Sequence, residues 1–310
     1  NISPIIFVAQ LKHELGPLRK TYCLTYNQRV SENEDFMKLI TQEASLLNEK
    51  SFLPSAWVLT SADWADKFDQ MRRNGIPLGE YAKGKIQRGF VTGLNDAFMI
   101  DGPTRQRLID EDPASAEIIR PLLRGRDLRK WRPAFADQWL ICTVHGTDIS
   151  RYPAVEKHLR QFKTRLEKRA PGNYQWFELQ GGSTELLNKL SVPKILYPQI
   201  ARKNIFGLDQ GGELLLNDKC FMIGMSDLFL LGVLNSDCCW RYITNSCPIL
   251  NTGAYQLRKP IMQDVPIPIA DEKQRASVIR LVQKILEAAP GEQKRLQSQL
   301  DQIIAGLYGL

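Results

Sequence analysis

Six cations crowd thirteen residues of this chain: Arg120, Arg124, Arg126, Arg129, Lys130 and Arg132, opposed there only by Asp127. Guanidinium groups at such density bind phosphate oxygens and can bridge O6 and N7 of guanine in a major groove. Leu122, Leu123, Leu128 and Trp131 are interleaved with them. The competing reading is a solvated charged face with local ion pairs. A second basic stretch, Tyr152 to Arg169, carries Lys157, Arg160, Lys163, Arg165, Lys168 and Arg169, and the polar loop Gln199 to Asn204 adds Arg202 and Lys203. The residues expected to contact nucleic acid are Arg88, Arg124, Arg126, Arg129, Lys130, Arg160, Lys163, Arg202 and Lys203.

Catalytic signatures are missing from the same chain. It has no Walker loop, no GxSxG elbow, no HExxH and no CxxC pair. Cys142 and His145 form a CxxH pair, but a structural zinc site needs four ligands and no second pair stands at ligand spacing. Adenine-methylating enzymes place an Asn/Asp-Pro-Pro-aromatic loop at the target amino group; Val265-Pro266-Ile267-Pro268 and Tyr197-Pro198 do not match it. The acidic-x-Lys candidates of a nuclease, Glu156-Lys157 and Asp271-Glu272-Lys273, fall in or beside expected helices that explain their charges. No catalytic residue and no metal site is assigned.

The totals agree with a binding role. The chain has 310 residues, 43% of them hydrophobic, and 41 basic against 34 acidic side chains give a net charge of +7. Such a surplus favours polyanionic partners without proving one. No apolar run approaches the roughly 20 residues that cross a bilayer. The chain opens without an initiator Met or a signal-type leader, so it is expected to be a piece of a longer, cytoplasmic polypeptide. Its six cysteines show no disulfide-framework spacing.

Elements must hold these side chains in place. Strands are expected on either side of His13-Glu14-Leu15-Gly16-Pro17, and a loosely patterned helix from Glu32 to Lys50. Trp64, Phe68 and Met71 recur at helical spacing after a Ser61 cap, and Gly75 with Pro77 stops that helix. The stretch Gly84 to Asp101 reads as two short strands joined at Thr92-Gly93, with Gly93 supplying a positive φ and Asn95 bracing the turn. A single helix is expected from Tyr152 to Arg169, and a hairpin at Gln210-Gly211-Gly212. Asp227 to Thr244 reads as one or two buried helices, and Pro260, Pro266 and Pro268 as an extended surface segment. Most of the tryptophans are expected in the core. The chain closes on an αα-hairpin, with Asp271 capping the first helix and Pro290-Gly291 turning the chain. The fold class is α+β: a mixed β-sheet with flanking helices and a C-terminal αα-hairpin.

The order of motifs resembles a known family. Gly89-Phe90-Val91-Thr92-Gly93-Leu94-Asn95-Asp96-Ala97-Phe98 is similar to the opening of the TaqI-like C-terminal specificity domain. Ile119-Arg120-Pro121-Leu122-Leu123-Arg124-Gly125-Arg126-Asp127-Leu128, Pro193-Lys194-Ile195-Leu196-Tyr197-Pro198, Leu234-Asn235-Ser236 and Pro266-Ile267-Pro268 resemble its later segments in order. The likeness runs from about residue 57 to about 290. It implies a target-recognition domain for double-stranded DNA in an adenine-specific methyltransferase or a fused type II restriction-modification enzyme. S-adenosylmethionine, the methyltransferase domain and, in fused enzymes, a nuclease are then expected outside this chain. The implied division is a methyltransferase remnant with linker at 1–56, the recognition domain at 57–268 and the helical hairpin at 269–310. Two other readings stay open: a nuclease with an unrecognised active site, and a protein-interaction scaffold using the terminal hairpin.

Overall fold

The computed structural model describes residues 62–250 and 252–310, preceded by two short paired strands, Thr21–Cys23 and Ser45–Leu47. Of the two strands expected around His13, the second, Lys20 to Asn27, contains the described strand Thr21–Cys23; the first, the Ser61 cap and nearly all of the rest of the 1–56 segment lie outside the described residues. Within the expected Glu32–Lys50 helix, Ser45–Leu47 is strand instead, because Ser45, Leu46 and Leu47 pair with Cys23, Tyr22 and Thr21.

One sheet organises the rest. Its order is Gly207–Asp209, Lys194–Pro198, Cys220–Ile223, Ile86–Arg88, with every pair antiparallel. The two central strands are buried along their whole length. Successive side chains of a strand point to opposite faces, and here each face meets a core. Ile195, Tyr197, Phe221 and Ile223 join one apolar cluster with Phe68, Leu78 and Phe229; Leu196, Cys220 and Met222 join another with Phe90, Phe98, Leu122 and Leu140. The sheet is therefore a wall between two cores, which is why Ile195-Leu196-Tyr197 reads as a continuous apolar run rather than an alternating one. Lys194 is buried in it and is neutralised by Asp209 at 2.6 Å, whose carboxylate also accepts from the backbone of Gly212 and Leu214.

The second core holds a mixed sheet: Leu215–Leu216, Ile119–Leu123, Gln138–Ile141, Met99–Asp101, with the first pair parallel and the others antiparallel. Helices cover the first core. Helix Ala62–Arg73 buries Phe68 and Met71, and the helix Leu228–Leu234 is buried almost throughout, as expected for the Asp227–Thr244 region. The terminal hairpin forms as its punctuation dictates. Asp271 and Gln274 exchange a capping box ahead of Glu272–Glu287, and Pro290–Tyr308 returns alongside. The fold class is α+β.

Four local expectations change. The Gly84–Asp101 stretch is not a hairpin: Ile86–Arg88 pairs in the wall, whereas Met99–Asp101 pairs in the second sheet. Burial of Phe90, Ala97 and Phe98 in the second core draws the chain across, and Asn95–Phe98 forms a helical turn on the way. The Gln210-Gly211-Gly212 turn likewise carries the chain between sheets, because Gly207–Asp209 pairs with the wall and Leu215–Leu216 with Ile119–Leu123. The 152–169 helix breaks into Pro153–Arg160 and Lys163–Leu166. Of the expected extended segment, Pro260 opens the short helix Lys259–Gln263, where a proline in the first turn gives up no bond, and Pro266–Pro268 is a buried strand paired with Gly75–Pro77, anchored by Ile267 in the first core and by the Tyr308 hydroxyl donating to the Pro266 carbonyl at 2.5 Å.

The turn inside the crossover has a definite geometry. Gly93 takes φ +77°, the Thr92 hydroxyl donates to Asn95 Oδ1 at 2.7 Å, and the Arg169 guanidinium donates to the carbonyls of Thr92, Trp176 and Glu178, each at 2.9 Å. A Cβ on Gly93 would stand 2.6 Å from Gln180 Oε1 and 2.7 Å from Arg169 Cδ. Replacing Gly93 with Val should lower the free energy of unfolding by roughly 2–4 kcal/mol, read from urea denaturation, since strain at positive φ and a clash act together.

Candidate nucleic-acid interface

Antiparallel register gathers charges at one end of the wall. Cys220 pairs with Pro198 and Phe221 with Arg88, so the loops after Pro198, before Cys220 and after Arg88 leave the same end. Arg88 is exposed and bonds Asp218, which also holds Lys219 at 2.8 Å. The turn at Gly125–Asp127 packs on this end: a Cβ on Gly125 would be 3.5 Å from the Lys219 carbonyl oxygen and 3.9 Å from Pro198 Cβ. The loop after Pro198 carries exposed Ile200, Arg202 and Lys203, then passes beside Trp131, whose N–H donates to the Phe206 carbonyl at 2.8 Å.

The arginine-rich run divides into a structural part and a free part. Arg124 is only partly exposed; its backbone N–H, Nε and Nη2 all donate to Asp127, and its Nη1 donates to Gln138 Oε1 at 2.8 Å. Burial acts to raise the Asp127 pKa, but the bonds from Arg124 outweigh it and hold the carboxyl below its ordinary value. Arg124 thus shapes the turn, with Nε, Nη1 and Nη2 each engaged within the protein and the side chain still 19% exposed. The exposed side chains of Arg126 and Arg132 have no hydrogen-bond or ion-pair partner among the described residues, while exposed Arg129 folds over the Arg126 and Leu128 carbonyls. Lys130 turns inward toward Asp237 and Asp301, and burial pulls its pKa down to about 8 despite those carboxylates.

The Tyr152–Arg169 stretch supplies fewer free cations than its composition suggests. Lys157 meets Glu111, Arg160 meets Glu156, Lys163 meets Glu167, and Arg165 meets Asp96. Arg160 and Lys163 also lie 5.8 and 5.4 Å from the Trp176 ring centre. These two form a patch around Trp176, whereas Arg126, Arg129, Arg202, Lys203 and Arg88 belong to loops at the end of the wall. Sequence reasoning missed Lys219 and Phe135; the polar Asn217-Asp218-Lys219 break between two apolar strands was the available signal for the first. Of the tryptophans, Trp131 is buried, while Trp64, Trp139, Trp176 and Trp240 are only partly so.

Among the described residues no group of three or more His, Cys, Asp or Glu could hold a metal ion. His145 bonds the Leu179 carbonyl at 3.0 Å, and burial raises the neighbouring Cys142 thiol to about 12. No described helix is long and apolar enough to cross a membrane. The terminal hairpin places Val278, Leu281, Val282, Leu296 and Leu300 in the first core, so its apolar stripes are already covered.

Residues 120–267, just under half the chain, match the TaqI-like C-terminal specificity domain. Among solved structures, the type IIL restriction-modification enzyme MmeI, determined in complex with DNA, aligns with a TM-score of 0.58 at 15% identity, over 72% of this chain and 32% of that one. The type IIG restriction endonuclease BpuSI aligns at 0.46 with 14% identity, over 86% of this chain and 36% of its own. This chain thus spans about a third of the length of each. No curated protein sequence matches the chain significantly.

Two substitutions separate the structural from the free cations. Arg124→Ala should lower the unfolding free energy by roughly 1–3 kcal/mol, because Asp127 loses its partner in a partly buried turn. Arg126→Ala should leave thermal stability unchanged. Lys130 adds a pH signature. Its folded pKa of about 8 lies below its unfolded value near 10.4, so the unfolded chain binds more protons between these pH values. Stability relative to a Lys130→Met variant should therefore rise as pH climbs from about 8 to 10, by on the order of 2 kcal/mol, measured by denaturant titration at each pH.

Proposed function

We propose that this chain is the double-stranded DNA target-recognition part of a restriction-modification polypeptide, one whose methyltransferase acts on adenine. The observation that carries the reading is the end of the wall, where loops from three strands and the Gly125–Asp127 turn present Arg126, Arg202, Lys203 and Lys219 to solvent. The match of residues 120–267 to a specificity domain supports it. Phosphate contacts from these cations would set register on the duplex, and polar side chains such as Gln199 would lie near base edges. The chain's own residues would bind and orient DNA. Methyl transfer from S-adenosylmethionine, and cleavage where the parent polypeptide performs it, belong to other segments. In this reading residues 57–268 form the recognition domain, and the 269–310 hairpin braces it from the first core.

Salt dependence tests the proposal. Affinity for a labelled duplex, followed by fluorescence anisotropy, should fall by orders of magnitude between about 50 and 200 mM salt. Alanine at Arg126, Arg202 and Lys203 together should reduce the slope of log affinity against log salt by about 3, with an unchanged melting temperature. A flat salt response would remove DNA as the partner.

A further inference from the structure

The loop Arg132–Asp137 is fixed at three places. At its start Trp131 is buried with φ +73°, donates to the Phe206 carbonyl at 2.8 Å and accepts from Leu208 N–H at 3.0 Å. In its middle Ala134 N–H donates to the Asp127 carbonyl at 2.9 Å. At its end the Asp137 carboxylate accepts from Trp139 Nε1 at 2.8 Å and nests so closely on Gly102 that a Cβ there would lie 2.0 Å from Asp137 Oδ2. A loop pinned this way has little conformational freedom left to lose on binding.

At its crest stands Phe135, 43% exposed. Its ring meets Trp139 edge-on, with centroids 5.4 Å apart and planes at 87°, and the Arg105 guanidinium lies 4.0 Å from the Trp139 ring centre. The aromatic is thus braced from its base and bare at its tip. Its flanks are Pro133, Ala134 and Ala136, too little apolar surface for a protein interface of about 800 Å² per partner. Arg132 opens this loop and Arg126 lies on the adjoining Gly125–Asp127 turn, both exposed and neither in a salt bridge among the described residues. An exposed aromatic ring on a loop that begins at Arg132 and is bonded through Ala134 to the turn carrying Arg126 suits a ligand that offers flat apolar faces next to negative charge, which is what stacked bases between phosphate strands provide.

We propose that Phe135 is a stacking wedge that this arch sets against the bases of duplex DNA while Arg126 and Arg132 hold flanking phosphates. The inference rests on the DNA-recognition reading above and assigns one residue a contact with bases. Two measurements on the same bound duplexes test it. A pool of mixed-sequence duplexes enriched on the wild-type chain is prepared with 5-iodouracil in place of thymine, irradiated, and the cross-linked peptide mapped by mass spectrometry; affinities of the wild type, Phe135→Ala and Phe135→Trp are measured across salt. The cross-link should fall on the peptide containing Phe135. Phe135→Ala should weaken binding about tenfold with an unchanged salt slope, and Phe135→Trp should restore it. Because Phe135 is partly solvent-facing, unchanged melting temperatures check that the variants fold. Tight, salt-sensitive binding with cross-links elsewhere and equal affinity for Phe135→Ala overturns the wedge and leaves the recognition reading standing. No binding of any duplex by the wild type overturns both.

Discussion

A sheet buried on both faces constrains everything else in this molecule. Because Lys194–Pro198 and Cys220–Ile223 have an apolar cluster on each side, neither strand can shift register by a residue without exchanging the two cores' side chains. Their ends are therefore placed as firmly as their centres. The loops that carry Arg88, Arg202, Lys203 and Lys219 all leave one end of this fixed object. A polar intrusion in such a wall needs a complete partner set, which Lys194 finds in Asp209 and the Val192 carbonyl. That pair also ties the edge strand Gly207–Asp209 to the centre, and so holds the loop that runs beside Trp131.

The second constraint is how the arginine-rich run divides its labour. Asp127 accepts three donors from Arg124, closing a tight turn directly after the strand Ile119–Leu123. One acidic side chain thus removes one guanidinium from the charged surface and, in the same act, orients the next. Arg126 lies on the turn that this clamp creates, and Ala134 bonds back to the Asp127 carbonyl, so the arch beyond it inherits the same reference point. Net charge is a poor guide to such a surface. In the Tyr152–Arg169 stretch Lys157, Arg160, Lys163 and Arg165 face carboxylates, so exposed pairs there add little field at a distance.

Much of the fold was legible where a residue's type decides its place alone. The Asp271 cap and the Val278, Leu281, Val282 and Ile285 stripe depend on local chemistry and stand as read, while the chain turns at Ala288-Ala289, Pro290 and Gly291 open the second helix, and its buried stripe ends on Ile304 and Tyr308. The burial of 228–234 followed from its lack of polar residues. What stayed illegible was partnership. Two short strands around a glycine look alike whether they pair with each other or with different sheets, and the crossover at Gly84–Asp101 depends on where Phe90 and Phe98 find a core. Pro266–Pro268 looked like a surface segment because proline lacks a donor; its burial depends on Tyr308, forty residues later in the chain. Likewise no spacing rule distinguishes Arg124 from Arg126, since the difference is a contact with Asp127 and Gln138 that only the fold supplies.

Wall and loops place different demands on the sequence. The wall asks only for apolar side chains of suitable volume on two faces, a demand that many sequences satisfy. The exposed side chains of the loops at its end bear no such packing demand. The central strands hold Pro198, Cys220 and Arg88 in fixed relation, and that fixed relation lets Arg126, Arg132 and Phe135 present a defined shape without a core of their own. A guanidinium anchored this way loses less freedom on binding than one on a mobile tail, so the same charge count yields more orientation. The most informative side chains for the partner are therefore those the fold holds in place and leaves unpaired.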